Sequence, residues 1–139
     1  MKIECIAGFA PITKDPSVSA SLYQDALGLP LRQQDDYRFM DRFPGANHFG
    51  VWQLAMAAQS CFGQAEWPAH TPEPTATIEF ELADTEAVEA AVRELKEKGQ
   101  AFIHEARQEP WGQTVARFMS PEGVLIGLSY APWLHEPKA

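Results

Sequence analysis

The sequence predicts a single α+β domain made of two βαβββ modules whose strands form one concave, mixed sheet with a cleft. Three observations lead there. The order strand, helix, three strands occurs twice, with module one over about residues 1–58, a linker over about 59–74 and module two over about 75–134. Asp15 and Asp84 stand where equivalent helices open, and Gly28 and Gly99 where they close. PGANHFGVWQL in the first half is echoed by PEGVLIGLSY in the second. Neither half can bury a sheet face alone, so the two are expected to pack as one domain.

The opening strand is IECIAGFAPI, Ile3 to Ile12, which Pro11 and the KDPS turn should end. In SVSASLYQDALGL the apolar residues Val18, Leu22, Ala26 and Leu29 recur at helical spacing, with Asp15 or Ser17 as cap and Gly28 as stop. From Pro30 to Ala57 the short aromatic and β-branched runs LPLRQQ, YRFMDRF and HFGVWQLAM, parted by DD and PGAN, read as three strands in a meander. Pro68, Pro72 and Pro74 argue against a regular element in the segment Gln59 to Thr75, which reads as linker. TATIEFEL alternates, with Ile78, Phe80 and Leu82 on one face and Thr77, Glu79 and Glu81 on the other. DTEAVEAAVRELKEKG is the strongest helix signal: Ala87, Val88, Ala91, Val92 and Leu95 form one apolar stripe behind the Asp84 cap. AFIHEA, TVARFMS and GVLIGLSYA supply the closing strands.

Composition narrows the function. A chain of 139 residues, 45% hydrophobic, can bury roughly two thirds of its unfolded surface. A net charge of −8 argues against nucleic acid and against anionic membranes, because phosphate binding needs clustered Lys and Arg. Cys5 and Cys61 form no C-x-x-C pair and read as buried free thiols. The N-terminal residues lack a secretory pattern and no long apolar run occurs, so a soluble, cytoplasmic protein is expected.

Three stretches, DPSVSASLYQDALGLPL, DTEAVEAAVRELKEKG and PWGQTVARFMSPEGVLIGL, resemble in order and spacing the vicinal oxygen chelate superfamily. That superfamily includes glyoxalase I, extradiol dioxygenases and the bleomycin and fosfomycin resistance proteins, and the resemblance covers nearly the whole chain. It implies four metal-ligand positions: a His or Gln in the first strand of each half and a carboxylate in the last. Counted here, those positions fall on Gly8 and Thr77, each seven residues before a helix-opening aspartate, and on Gln53 and Gly127. None is a His or a carboxylate. A divalent metal depends on several such donors, so no cofactor is expected. Gly127, in mid-strand, either empties a ligand position or bends the sheet.

Other residues suggest how such a cleft would hold a ligand. Glu79 shares the inward face with Thr77, and Arg117 is its natural partner across the sheet. The pair reads either as a general base or ligand grip, or as a structural ion pair. Trp111 in EPWGQ either stacks on a flat ligand or plugs the hairpin, with Gln113, Gln53 and Phe49 as further contacts. Counting from Gln53, His48 should face away from the cleft and Trp52 should pack between sheet and helix; His104 stays near the site, and His70 and His135 face solvent. The expected function is metal-independent binding of a small, partly apolar organic molecule, as in the resistance-type branch. The alternative is a glyoxalase- or dioxygenase-type lyase or oxidoreductase with displaced metal ligands, His104 and Glu79 among them. A homodimer is a further expectation from the resemblance.

Overall fold

The computed structural model describes residues 1–136. Its elements are β1 (Cys5–Thr13), α1 (Pro16–Ala20) continuing in wider π turns over Ser21–Ala26, β2 (Arg32–Gln34), β3 (Tyr37–Phe43), β4 (Ala46–Gln53) and α2 (Leu54–Phe62). There follow β5 (Ala76–Glu81), α3 (Thr85–Glu97), β6 (His104–Gln108), β7 (Thr114–Met119), β8 (Leu125–Tyr130) and a 3₁₀ turn at Pro132–Leu134. The eight strands form one sheet in the order β2-β3-β4-β1-β5-β8-β7-β6. Each half pairs its first strand in parallel with its last, β1 with β4 and β5 with β8, and the halves join through antiparallel β1 and β5. The duplication read from the sequence is therefore the architecture.

Local chemistry sets the two long helices. Asp15 Oδ1 accepts the Ser17 N–H at 3.0 Å, and Asp84 Oδ1 accepts the Ala87 N–H at 2.7 Å. Gly28 and Gly99 follow at positive φ, 73° and 92°, where a side chain would be strained. The α3 stripe of Val88, Ala91 and Val92 packs on Leu82, Ala116 and Leu128, covering the outer face of module two.

Several expectations need correction. The region from Leu54 to Phe62, read as strand and then linker, is helix α2. LAMAAQSCF is rich in good helix formers, and its stop is Gly63 at φ 74°, well before Pro68. This helix covers one end of the concave face, where Ala57 and Cys61 pack on Ala10, Ile12, Trp52 and Leu125. Pro11 does not end β1: the strand runs to Thr13, and the Ile12 N–H donates to the Thr75 carbonyl at 2.9 Å. Cys61 is buried, but Cys5 is exposed; both are free thiols.

Candidate functional site

One row of residues crosses the concave sheet. His104, Arg117, Gly127, Glu79 and Gly8 are successive partners on β6, β7, β8, β5 and β1. His48 and Asp41 continue it on β4 and β3, one residue before the Phe9 and Phe49 pair. The two glycines make the row. A Cβ on Gly127 would lie 3.0 Å from Glu79 Cγ and 3.4 Å from Val115 Cγ2, and one on Gly8 would meet His48 Cβ at 3.2 Å. With hydrogen there instead, long neighbouring side chains lie flat over the sheet and reach one another. Arg117 Nη2 comes within 3.7 Å of Glu79 Oε2 across the bare Gly127. A side chain at Gly127 would thus point to the face that Glu79 occupies.

Arg117 is 1% exposed and anchors a buried cluster. Its Nη1 donates to Glu109 Oε1 and Ser60 Oγ, both at 2.8 Å, and to His104 Nε2 at 3.2 Å. The guanidinium also lies over the Trp52 ring, 5.3 Å from its centroid. Burial opposes ionisation of Glu109, but hydrogen bonds from Ser60 and Arg117, with the charges of Arg117 and Arg107, outweigh it and hold the carboxyl below its usual pKa. His104 accepts at Nε2, so its Nδ1–H donates to the Glu105 carbonyl at 2.8 Å. Burial, aided by Arg117 and Arg107, lowers its pKa from 6.5 to about 4. Between those values the unfolded chain binds the proton and the folded chain does not, so stability falls as pH drops through that window. We expect acid unfolding profiles to show this loss and a His104→Gln variant to show less of it.

The facing wall is equally tied down. Trp111 Nε1 donates to Gln113 Oε1 at 2.8 Å, and Gln113 Nε2 donates to Glu79 Oε1 at 3.0 Å and Ser129 Oγ at 2.8 Å. The Thr77 hydroxyl donates to the Leu125 carbonyl at 2.8 Å. Glu81, 1% exposed, accepts the Ala131 N–H at 2.6 Å and contacts His135 Nε2 at 2.8 Å. These bonds tie down the turn that carries Trp133 and Leu134 over the rim.

Opposite lies a constellation that reading along the chain missed. The Tyr37 hydroxyl is hydrogen-bonded to His48 Nε2, and His48 Nδ1 to Asp41 Oδ1 at 2.7 Å; Asp41 Oδ2 accepts from Arg32 at 3.0 Å. The Tyr37 hydroxyl occupies the space over Gly50, where a Cβ would come within 2.1 Å of it. His48 thus faces the concavity, contrary to expectation, and Trp52 lies on the same side, its ring under the Arg117 guanidinium and packed, as expected, between the sheet and a helix, here α2. The inward parity was counted from Gln53. That residue ends β4 as the cap of α2 and is absent from the lining, while Phe49 points to the opposite face among Phe9, Tyr23 and Phe43. Aligning the caps Asp15 and Asp84 makes Ala10 equivalent to Glu79, and the sheet register then sets Gly50, not Gln53, opposite Gly127's role. Matching Gly50 with Gly127 as the glycines of HFGVW and LIGLS would have revealed it.

Together these walls enclose a cavity of about 520 Å³. Phe39, Trp52, Met56, Trp111, Trp133 and Leu134 supply its apolar surface; Tyr37, His48, Thr77, Glu79, Gln113 and Arg117 supply polar groups. His104 lies behind Arg117, outside the lining. The donor set does not fit a divalent metal. The equivalent positions offer two hydrogens at Gly8 and Gly127, a third at Gly50 and a Thr77 hydroxyl already bonded to a carbonyl. Among the described residues no three His, Cys, Asp or Glu side chains converge.

The family model described as Glyoxalase/Bleomycin resistance protein/Dioxygenase superfamily matches residues 6–128. No curated protein matches the chain. Solved structures do, at low identity. One is a superfamily member from Vibrio splendidus (14% identity, TM-score 0.57, covering 94% of this chain and 100% of that one). Another is Streptomyces coelicolor methylmalonyl-CoA epimerase in complex with 2-nitronate-propionyl-CoA (15%, 0.58, 98% and 100%). A third is described as an NAD-dependent benzaldehyde dehydrogenase from Legionella pneumophila (15%, 0.57, 88% and 96%). At this identity the likeness is one of fold. No helix among the described residues is long and apolar enough to cross a membrane.

Proposed function

The chain belongs to the Glyoxalase/Bleomycin resistance protein/Dioxygenase superfamily, and from that membership we propose that its cup binds a small, partly apolar organic molecule without a metal ion. The observation that carries this reading is the use made of the vacated positions: the space over Gly8, Gly50 and Gly127 is filled by His48, Tyr37 and Glu79. The neighbouring epimerase structure holds a CoA derivative, so the fold accommodates small molecules in that protein.

The hydrogen-bond pattern narrows the ligand. The Thr77 hydroxyl and both Gln113 Nε2 protons are spent within the protein, and Arg117 Nη1 is turned to Glu109, Ser60 and His104, leaving lone pairs on Glu79 Oε1 and Oε2 and on the Tyr37 oxygen to face the hollow. Aromatic walls and an acceptor floor suit an aromatic amine or another cation with an apolar body. Trp111, half exposed at the rim, is the stacking surface. Thermal shift and tryptophan fluorescence with a panel of arylalkylamines and aryl quaternary ammonium ions test this. Trp111→Ala should weaken binding about 5- to 30-fold, the worth of one stacking or cation–π contact. Gln53→Ala, outside the cup, should bind as wild type. If no panel member stabilises the protein, or Trp111→Ala changes nothing, the reading fails.

The alternative, an enzyme with a metal rebuilt on His104 and Glu79, is opposed by the loss of both His104 nitrogens to Arg117 and Glu105. Stoichiometric zinc, iron, nickel or manganese retained by the purified protein through dialysis would reverse that judgement.

A further inference from the structure

The chain leaves the sheet at Tyr130 and continues as a short strap, Ala131 to Glu136, with the 3₁₀ turn Pro132–Leu134 inside it. Trp133 and Leu134 of this strap line the cup, and Trp133 is 44% exposed. Two of its amides bond within the strap: the Leu134 N–H donates to the Ala131 carbonyl at 2.9 Å and the His135 N–H to the Pro132 carbonyl at 3.0 Å. Among the described residues, the hydrogen bonds that join the strap to the rest of the protein both end on one atom. Glu81 Oε2 accepts the Ala131 N–H at 2.6 Å and meets His135 Nε2 at 2.8 Å. A surface segment fastened at a single oxygen opens at small cost compared with the strands beneath it.

Glu81 is an unusual fastener. It is 1% exposed, and its Oε1 is buried with no hydrogen-bond partner. Among the described residues His135 is the sole basic group within ion-pair distance of it. An ionised carboxylate so placed bears a desolvation cost that one imidazole only partly offsets, whereas a protonated one escapes most of it. Burial accordingly raises the Glu81 pKa by more than the Ala131 amide, Ser129 and His135 lower it. The titratable groups around Glu81 are His135 on the strap, Cys5 opposite it on β1, and Glu79 on β5, which is joined to Ser129 through Gln113. When the strap lifts, water reaches the carboxylate and its pKa returns to the ordinary range. The closed form therefore holds the proton more tightly than the open one, so closing takes up a proton and rising pH favours opening.

We propose that Ala131–Glu136 is a pH-operated flap on the cup, latched by Glu81 while that carboxyl is protonated and released as it ionises. In the latched form the proton sits on Oε1, and Oε2 accepts the two bonds from Ala131 and His135. Release carries Trp133 and Leu134 away from the rim, and the cup loses part of its apolar wall. The consequence for affinity rests on the binding reading above; the movement of the flap does not.

Fluorine NMR of ligand-free protein labelled with fluorotryptophan tests the movement, with Trp133→Phe assigning the Trp133 signal among the four tryptophans. Between about pH 5 and 9 that signal should pass from one limiting position to another, with a midpoint above the ordinary carboxylate range, while the Trp67 signal stays still. Glu81→Gln keeps an acceptor for Ala131 without a charge and should hold Trp133 at its acid position throughout. His135→Leu, on a partly exposed residue whose replacement spares the fold, removes one of the two bonds and should let the flap open at lower pH. A Trp133 signal that does not titrate, or that titrates alike in wild type and Glu81→Gln, overturns the proposal. Benzyltrimethylammonium, whose charge is fixed, is the probe for affinity. Relative to Glu81→Gln, its binding to wild type should weaken about 2- to 10-fold over the same range, the worth of one aromatic contact. A titrating Trp133 with no binding of this cation leaves the flap standing and counts against the binding reading; binding with a motionless Trp133 does the reverse.

Discussion

Arg117→Met lowers the melting temperature by about 10 °C or more, because breaking a buried ion pair on one side costs about 3–5 kcal/mol in a domain of this size. The guanidinium is the hub of its cluster: Glu109 at 6% exposure, Ser60 and His104 take its hydrogen bonds, and Glu79 lies across Gly127. Methionine fills most of the volume but leaves the Glu109 carboxylate in an apolar environment with only Ser60 and the more distant Arg107 to oppose its charge. Adding Glu109→Met to Arg117→Met should restore part of the lost stability, since the stranded charge is removed with its partner. Differential scanning calorimetry of the two variants checks both statements. A double variant less stable than Arg117→Met would show that the cost lies in packing and not in charge.

Gly50→Ala has the second large effect, and it falls on the site as well as on the fold. The added methyl would stand 2.1 Å from the Tyr37 oxygen and 2.6 Å from Cζ, well inside contact distance. The ring is held between β-sheet neighbours, with Phe39 stacked 5.3 Å away and His48 bonded to its hydroxyl. Forcing it aside costs about 1–3 kcal/mol, as overpacking of a well-filled site does, and it breaks the relay to His48. Gly127→Ala meets only Glu79 Cγ at 3.0 Å and Val115 Cγ2 at 3.4 Å, so it should cost less stability. It should chiefly loosen the Glu79 and Arg117 pair. Urea unfolding of both variants, beside ligand titration, separates these effects; equal losses at the two glycines would contradict the geometry.

Much of this molecule could be read along the chain because its causes are local or repetitive. The caps Asp15 and Asp84 need only the next turn of backbone, and the α3 stripe needs only a period of 3.6. The repeated element order fixed the two-module sheet, since each half had to bury its face against the other. The inward side of β5 was also legible, because strict alternation puts Thr77 and Glu79 together, and Gln113 and Arg117 were rightly expected beside them. The phase of β4 was not legible. Which of His48 and Gln53 faces inward depends on the pairing of Phe9 with Phe49, a contact between strands about 40 residues apart. Local alternation gives a strand two faces and no means of labelling them; hydrogen bonds to β1 choose, and a slip of one residue exchanges them. Hence the Asp41, His48 and Tyr37 relay, assembled from β3 and β4 over Gly50, exists only once the sheet has closed.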